Sequence, residues 1–213
     1  MSNDFIKGWE KDKGTSRSDV FKDLIDRTPM RERITSTVYK LNMVQKRLED
    51  SATRMRAKDK SLFKKCVQAQ EVKDEAASKM YANEIAQLRK MAQTVVGSQM
   101  AIEHVALRLE TVRDFGDVAT EILPAAKIVR SIKNRVSGIL PEVSYTLGDI
   151  GETLDGLVFE VGQVTGTHYH SIATSEDSEQ ILAEAAAVAE QKMRDSFPSL
   201  PSSGISERGF NPP

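Results

Sequence analysis

The sequence predicts an all-α protein built on a long antiparallel helical hairpin, with shorter helices after it and a Pro- and Ser-containing tail that has too little apolar content to fold when free. Two observations predict it. Apolar residues recur every seven positions in two successive long rows, the period of a helix seam. Charged residues make up 29% of the 213-residue chain and aromatic residues only 6%, a balance that fits long solvated helices better than an α/β core.

The first row opens at Thr28-Pro29, where Thr reads as an N-cap and Pro as the first helical residue. Ile34, Leu41, Leu48, Met55, Leu62 and Ala69 are spaced by sevens. Val38, Ala52 and Cys66 follow members of that row by four, and Gln45 and Asp59 are polar faults in the second line. At 1.5 Å per residue such a helix is roughly 60 Å long. The second row holds Tyr81, Leu88, Val95, Ile102 and Leu109, flanked by Ile85, Ala92 and Ala106, with Gln99 as its fault. The turn between the rows falls at Glu71–Glu75, without Pro or Gly to mark it. Two long seams joined by a short turn bury each other most simply as an antiparallel pair.

Phe115-Gly116-Asp117 punctuates the end of the second helix, Gly as C-cap and Asp as the next N-cap. A third helix is expected over Val118–Val136, with Pro124 near its start and Gly138 and Pro141 closing it. A fourth, Ser144–Val164, contains Gly148, Gly151, Gly156 and Gly162. Glycine in a helix interior costs up to about 1 kcal/mol, so this helix reads either as weak and conditional or as closely packed against its neighbours. Thr165–Ser178 reads as a polar loop. A fifth helix, about Glu179–Phe197, carries an apolar stripe at Ile181, Leu182, Ala185, Val188, Ala189 and Met193.

The amino-terminal segment stands apart. Met1, Phe5, Ile6 and Trp9 share one face of a helix, and Lys11–Ser18 is a polar linker. The chain therefore divides into residues 1–26, an amphipathic segment and linker; 27–165, a helical core with its hairpin at about 28–115 and shorter helices at about 118–164; and 166–213, a carboxy-terminal region with a helix at about 179–197 and the Pro-containing tail.

Charge is split along the chain. Residues 1–73 carry 18 Lys and Arg against 11 Asp and Glu, whereas residues 74–213 carry 12 against 20. Arg31–Lys65 alone holds 11 basic and 4 acidic residues. The front half is built to meet something anionic. That partner is not expected to be a nucleic acid, because the cations are interleaved with Glu32, Glu49, Asp50 and Asp59 and no recognition motif accompanies them.

Chemistry is sparse. The sequence contains no phosphate loop, no GxGxxG and no GxSxG elbow. His168 and His170 flank Tyr169 without a third close ligand, so no metal or cofactor is expected. Cys66 occupies a seam position, where it reads as a small hydrophobe rather than a nucleophile, and a single cysteine excludes an internal disulfide and fits a reducing compartment. Glu49-Asp50 and Asp74-Glu75 sit on exposed helix or turn with no pocket to perturb them. No stretch approaches the 18 or so apolar residues of a spanning helix, and no secretory signal opens the chain. The residues point to binding rather than catalysis, in a cytoplasmic protein.

The Phe5, Ile6 and Trp9 face, with Met1, is suited to shallow insertion into a lipid interface, and basic residues near an anionic leaflet add about 1 kcal/mol each. Arg31, Arg33, Lys40, Lys46, Arg47, Arg54 and Arg56 are the candidate basic surface, for lipid or for an acidic neighbouring subunit. The competing reading is a soluble coiled-coil scaffold or adaptor in which Phe5 and Trp9 pack on the hairpin.

The order of parts resembles the ESCRT-III family, and within it the archaeal cell-division (CdvB-like) branch. The carriers are DKSLFKKCVQAQ and KMYANEIAQLRK across the hairpin, RLETVRDFGDVATEILP at the second-to-third helix junction, and LPEVSYTLGDIGETLDG after it, in order over roughly residues 27–165. The resemblance implies autoinhibited subunits that open and polymerise, alone or with paralogues, into filaments on the inner face of the membrane at a division site. It implies constriction and severing of membrane necks, with no reaction of the subunit's own. It also implies disassembly by an AAA ATPase whose microtubule-interacting-and-transport (MIT) domain grips short carboxy-terminal motifs. Phe197, Pro198, Leu200 and Pro201 match the apolar-Pro-x-apolar-Pro core of one such motif, in which prolines pre-order the chain and apolar residues fill pockets. Ser202, Ser203 and Gly204 depart from the further prolines usual there, which leaves the fifth helix as the other docking element. Some members of the branch end in a winged-helix piece. The stretch after Phe197 is too short to fold one, so the chain looks like a shorter paralogue.

Overall fold

A computed structural model describes residues 29–115, 118–165 and 173–197, with side chains for 29–113, 122–162 and 176–197. Among the described residues five helices follow one another: α1 (Met30–Glu71), α2 (Glu75–Phe115), α3 (Val118–Val136), α4 (Pro141–Thr165) and α5 (Ala173–Ser196). The described residues are all helix, turn or irregular chain, and the all-α hairpin architecture is the one the two heptad rows predict.

The hairpin is made where expected. Of the first row, Ile34, Leu41, Leu48, Leu62 and Ala69 are buried; of the second, Leu88, Val95, Ile102 and Leu109 are. The turn between them solves its geometry without glycine. Lys73 takes the left-handed region at φ 59°, its N–H donates to Gln70 O, and Asp74 N–H donates to Ala69 O at 2.8 Å. This is the Schellman pattern, which satisfies the last carbonyls of α1. Asp74 then caps α2, its Oδ1 accepting from Ala77 N–H at 3.0 Å.

At the other end, Pro29 occupies the N-cap position at φ −52°, ψ 140° and makes no side-chain cap bond. Helix α1 therefore starts one residue later than the Thr28-Pro29 reading places it. Its ψ is extended, so the residue does not continue the helix.

The far half of the hairpin carries the bundle. Helices α3 and α4 pack on each other, α3 and α5 pack on α2, and α4 reaches α1. One core joins all five, from Ile34, Leu41 and Leu48 through Val105 and Leu109 to Ile128, Ile132, Leu147, Ile150, Leu154 and Ala185. A second, small cluster of Leu62, Cys66, Ile85 and Leu88 lies toward the hairpin tip. None of the buried core side chains is aromatic among the described residues.

Helix α4 is continuous from Pro141 to Thr165, starting three residues before the expected Ser144 with Pro at its first position. Two of its glycines receive long side chains from neighbours. A Cβ on Gly148 would stand 3.3 Å from Lys133 Nζ, and one on Gly156 would stand 3.1 Å from an Arg33 guanidinium nitrogen. Close packing on small residues, the second of the two readings of this helix, describes those positions. Helix α5 begins at Ala173, six residues earlier than expected, and its inner stripe is Ile181, Ala185 and Ala189. Gly97 lets it approach α2, with its Cβ position 3.6 Å from Ala189 Cβ.

Candidate membrane and assembly surfaces

The seam turns one side of α1 inward, so the 3.6-residue period presents its charges outward. Arg31, Lys40, Lys46, Arg47 and Arg54 are exposed and Arg56 is half-buried. Lys40, Arg47 and Arg54 are seven apart and form one row, which exposed Lys58 and Lys65 continue toward the tip. Arg47 and Arg54 also line an open cleft of about 460 Å³ with Asp50, Ser51 and the Leu140–Val143 stretch that opens α4. Arg54 donates to Ser51 Oγ at 3.0 Å there. Flexible cations in this density attract an anionic surface through their summed field rather than through fixed geometry.

Arg33 does not belong to that surface, which corrects its assignment to the basic face. It is 8% exposed and forms an ion pair with Glu160 of α4. Its position is next to seam residue Ile34, on the flank where α4 crosses the start of α1, and Gly156 leaves the room its guanidinium occupies. Replacing Glu160 by Ala strands a buried cation. Glu160 is itself one-third exposed, so the expected loss of unfolding free energy is about 1–3 kcal/mol, below the fully buried case, measured by urea unfolding.

Asp59, a polar fault in the first seam, is fully buried, and Arg89 meets it with two bonds, Nε–Oδ1 at 2.7 Å and Nη2–Oδ2 at 3.0 Å. The pair sits between the large core and the tip cluster. The ring of Phe197, at the end of α5, lies 5.5 Å from the Arg89 guanidinium carbon, within reach of a cation–π contact. Phe197 is the one member of the expected docking motif within the described residues; Pro198, Leu200 and Pro201 lie outside them, as do Met1, Phe5, Ile6, Trp9, His168 and His170. Sequence reasoning treated Asp59 as a mere interruption. Its signal was available: Asp59 and Arg89 stand nearly equal distances either side of the turn at Lys73.

Cys66 is a buried free thiol, 3.6 Å from Ser78 O, and His104 is an exposed helix-face residue. Among the described residues, no group of three metal-ligating side chains converges and no helix is long and apolar enough to cross a membrane.

Comparison with known proteins places the chain in a family. Cell division protein B1 of Sulfolobus acidocaldarius is 36% identical over 208 residues, 98% of this chain and 94% of that protein. Cell division protein B of the same organism is 34% identical over 168 residues, 79% of this chain and 64% of that protein. Cell division protein B3 is 27% identical over 120 residues, 56% of this chain and 69% of that protein. No family model and no solved structure matches the chain. With a likeness to B1 over 98% of the chain and a helical-hairpin architecture among the described residues, the chain belongs to the cell division protein B family, the ESCRT-III-like proteins of archaeal cell division.

Proposed function

We propose that this chain is a filament subunit that assembles on the inner face of the membrane during cell division, alone or with paralogues, and constricts and severs it. It carries no reaction of its own. The observation that supports this best is the 36% identity to cell division protein B1 across 98% of the chain. The exposed row Lys40, Arg47 and Arg54 on an otherwise apolar-seamed hairpin gives the reading a physical basis. That row attracts anionic lipid, and Met1, Phe5, Ile6 and Trp9 form a wedge that inserts. A single wedge binds reversibly, whereas a polymer displaying many copies binds firmly.

Disassembly by an AAA ATPase with an MIT domain is part of the same reading. Phe197, Pro198, Leu200 and Pro201 are the proposed grip. The test is co-sedimentation with anionic and neutral liposomes. Binding to anionic vesicles is expected to weaken several-fold between 50 and 300 mM salt. Phe5→Ala/Trp9→Ala is expected to remove most of what remains. If the double variant and the parent sediment alike, the wedge is wrong. If neither sediments at any composition, the soluble adaptor is the better account.

A further inference from the structure

Helix α4 carries two seams. Val143, Leu147, Ile150, Leu154 and Leu157 are buried against the bundle. On the opposite side Tyr145, Asp149, Glu152, Gly156 and Phe159 follow one another by four, three, four and three residues, the spacing by which one helix receives another along its length. Tyr145 is 76% exposed and Phe159 67%, and Asp149 and Glu152 between them are exposed too. Aromatic side chains left on a surface mark an interface, where they supply contact area at low entropic cost. Asp155 and Glu160, on the flanks, are paired with Arg130 and Arg33. Asp149 and Glu152 are therefore the acids that face outward along the row.

An anionic membrane repels this face, on a helix with five acidic residues and no Lys or Arg. The chain holds a segment of complementary make-up. Met1, Phe5, Ile6 and Trp9 share a helical side, and residues 7–17 carry Lys7, Lys11, Lys13 and Arg17 against Glu10 and Asp12. Its point of entry is at hand. The described chain begins at Pro29, and α4 crosses α1 four residues later, at the Arg33–Glu160 pair, about 6 Å along the helix. Phe159 adjoins that crossing, and the row runs from it about 21 Å to Tyr145. A 19-residue chain, the length of 10–28, averages about 24 Å end to end as a random coil. The tether matches the reach. A tether this short gives millimolar effective concentrations, so a weak contact is still well occupied.

We infer that, without lipid, the amino-terminal segment of the same chain occupies the outward row of α4. Phe5 and Trp9 pack on the aromatic rings of the row, and Lys7, Lys11 and Lys13 answer Asp149 and Glu152. The contact shelters an apolar surface that otherwise invites non-specific association. It must be given up before the same residues enter a membrane. The inference rests on the amphipathic segment named in the reading above and assigns its place off the membrane.

Trp9 is the one tryptophan of the chain, so its fluorescence reports on the segment directly. The full chain is measured without lipid, at concentrations where sedimentation velocity shows monomer. The parent is expected to emit to the blue of a free indole and to resist acrylamide quenching several-fold. Asp149→Lys/Glu152→Lys and Tyr145→Ser/Phe159→Ser are each expected to shift the emission to that of a peptide of residues 1–18. Their circular-dichroism melts are expected to match the parent, since all four positions are exposed. Both variants are also expected to bind anionic vesicles at several-fold lower lipid concentration, because the competing contact is gone. A parent that already emits as a free indole overturns the inference. So does a blue-shifted Trp9 that both variants leave unchanged, which means it docks elsewhere. A shift that grows with protein concentration overturns it too, by giving the row to a second copy. If parent and variants all ignore vesicles while the fluorescence behaves as expected, the α4 contact stands and the lipid wedge fails.

Discussion

Arg89→Met is expected to destabilise the fold by about 3–5 kcal/mol, a fall in Tm of roughly 10 °C for a domain of this size. The cause is what it leaves behind. Asp59 has no exposure at all, and the Arg89 guanidinium supplies two charge-assisted bonds to it at 2.7 and 3.0 Å. Removing the cation leaves a carboxylate in the hairpin seam with neither water nor partner. Replacing both residues removes the problem rather than exposing it. Asp59→Leu/Arg89→Met is expected to match the parent or exceed it by about 1 kcal/mol or more, as buried ion pairs exchanged for apolar side chains often do. Thermal unfolding of the two single variants and the double variant makes the cycle. Equal loss in the single and the double variants would mean that the pair stabilises the hairpin in its own right. The single variant also frees Phe197, whose ring rests 5.5 Å from that guanidinium, so amide exchange at the end of α5 is expected to rise with it.

The second large effect lies at Gly97. A Cβ there meets Ala189 Cβ at 3.6 Å and Ala185 O at 3.9 Å, ordinary contact distances. Gly97→Ala is expected to be tolerated and to gain up to about 1 kcal/mol from helix propensity. Gly97→Leu places a branched side chain where α5 lies. Overpacking of this kind costs about 1–3 kcal/mol, and α5 can escape it by undocking. A cost near 2 kcal/mol shifts the balance between docked and released helix about 30-fold. Hydrogen exchange over residues 176–197 is expected to accelerate by that order while α1 and α3 stay protected. Slow exchange in α5 of the Leu variant would show that the helix is held by contacts other than its small-residue seam. If docking of α5 restrains assembly, as the family likeness implies, the same substitution raises polymer yield at fixed concentration.

Much of this architecture was legible from spacing. The two heptad rows placed the hairpin and its turn, and Phe115-Gly116-Asp117 placed the end of α2. What spacing could not convey is that α2 is buried on more than one side. Val96, Ala101, Val105 and Val112 are buried as fully as the seam residues, because α3 and α5 pack where a lone hairpin faces water. A row of sevens describes one contact line and is blind to a second.

Most of the basic residues of α1 are exposed, but which ones are is not legible residue by residue. Arg33 and Arg31 look alike in sequence, yet a 200° step around the helix puts one against Glu160 and the other in water. The turn at Lys73 was hard to bound because its left-handed residue is not glycine. The glycines of α4 left a weak helix and close packing both open, and the structure uses Gly148 and Gly156 as room for Lys133 and Arg33. Spacing alone does not set Tyr145 and Phe159 apart from the other residues of α4. Their exposure appears only once the fold fixes which side of α4 faces the core.

The central claim is that this chain polymerises on membrane. Electron cryo-imaging of anionic vesicles incubated with the full chain, and with residues 166–213 removed, tests it most directly. The account predicts ordered protein coats or filaments that deform the vesicles, denser when the carboxy-terminal region is absent. Smooth, bare vesicles beside monomeric protein in both preparations would contradict it.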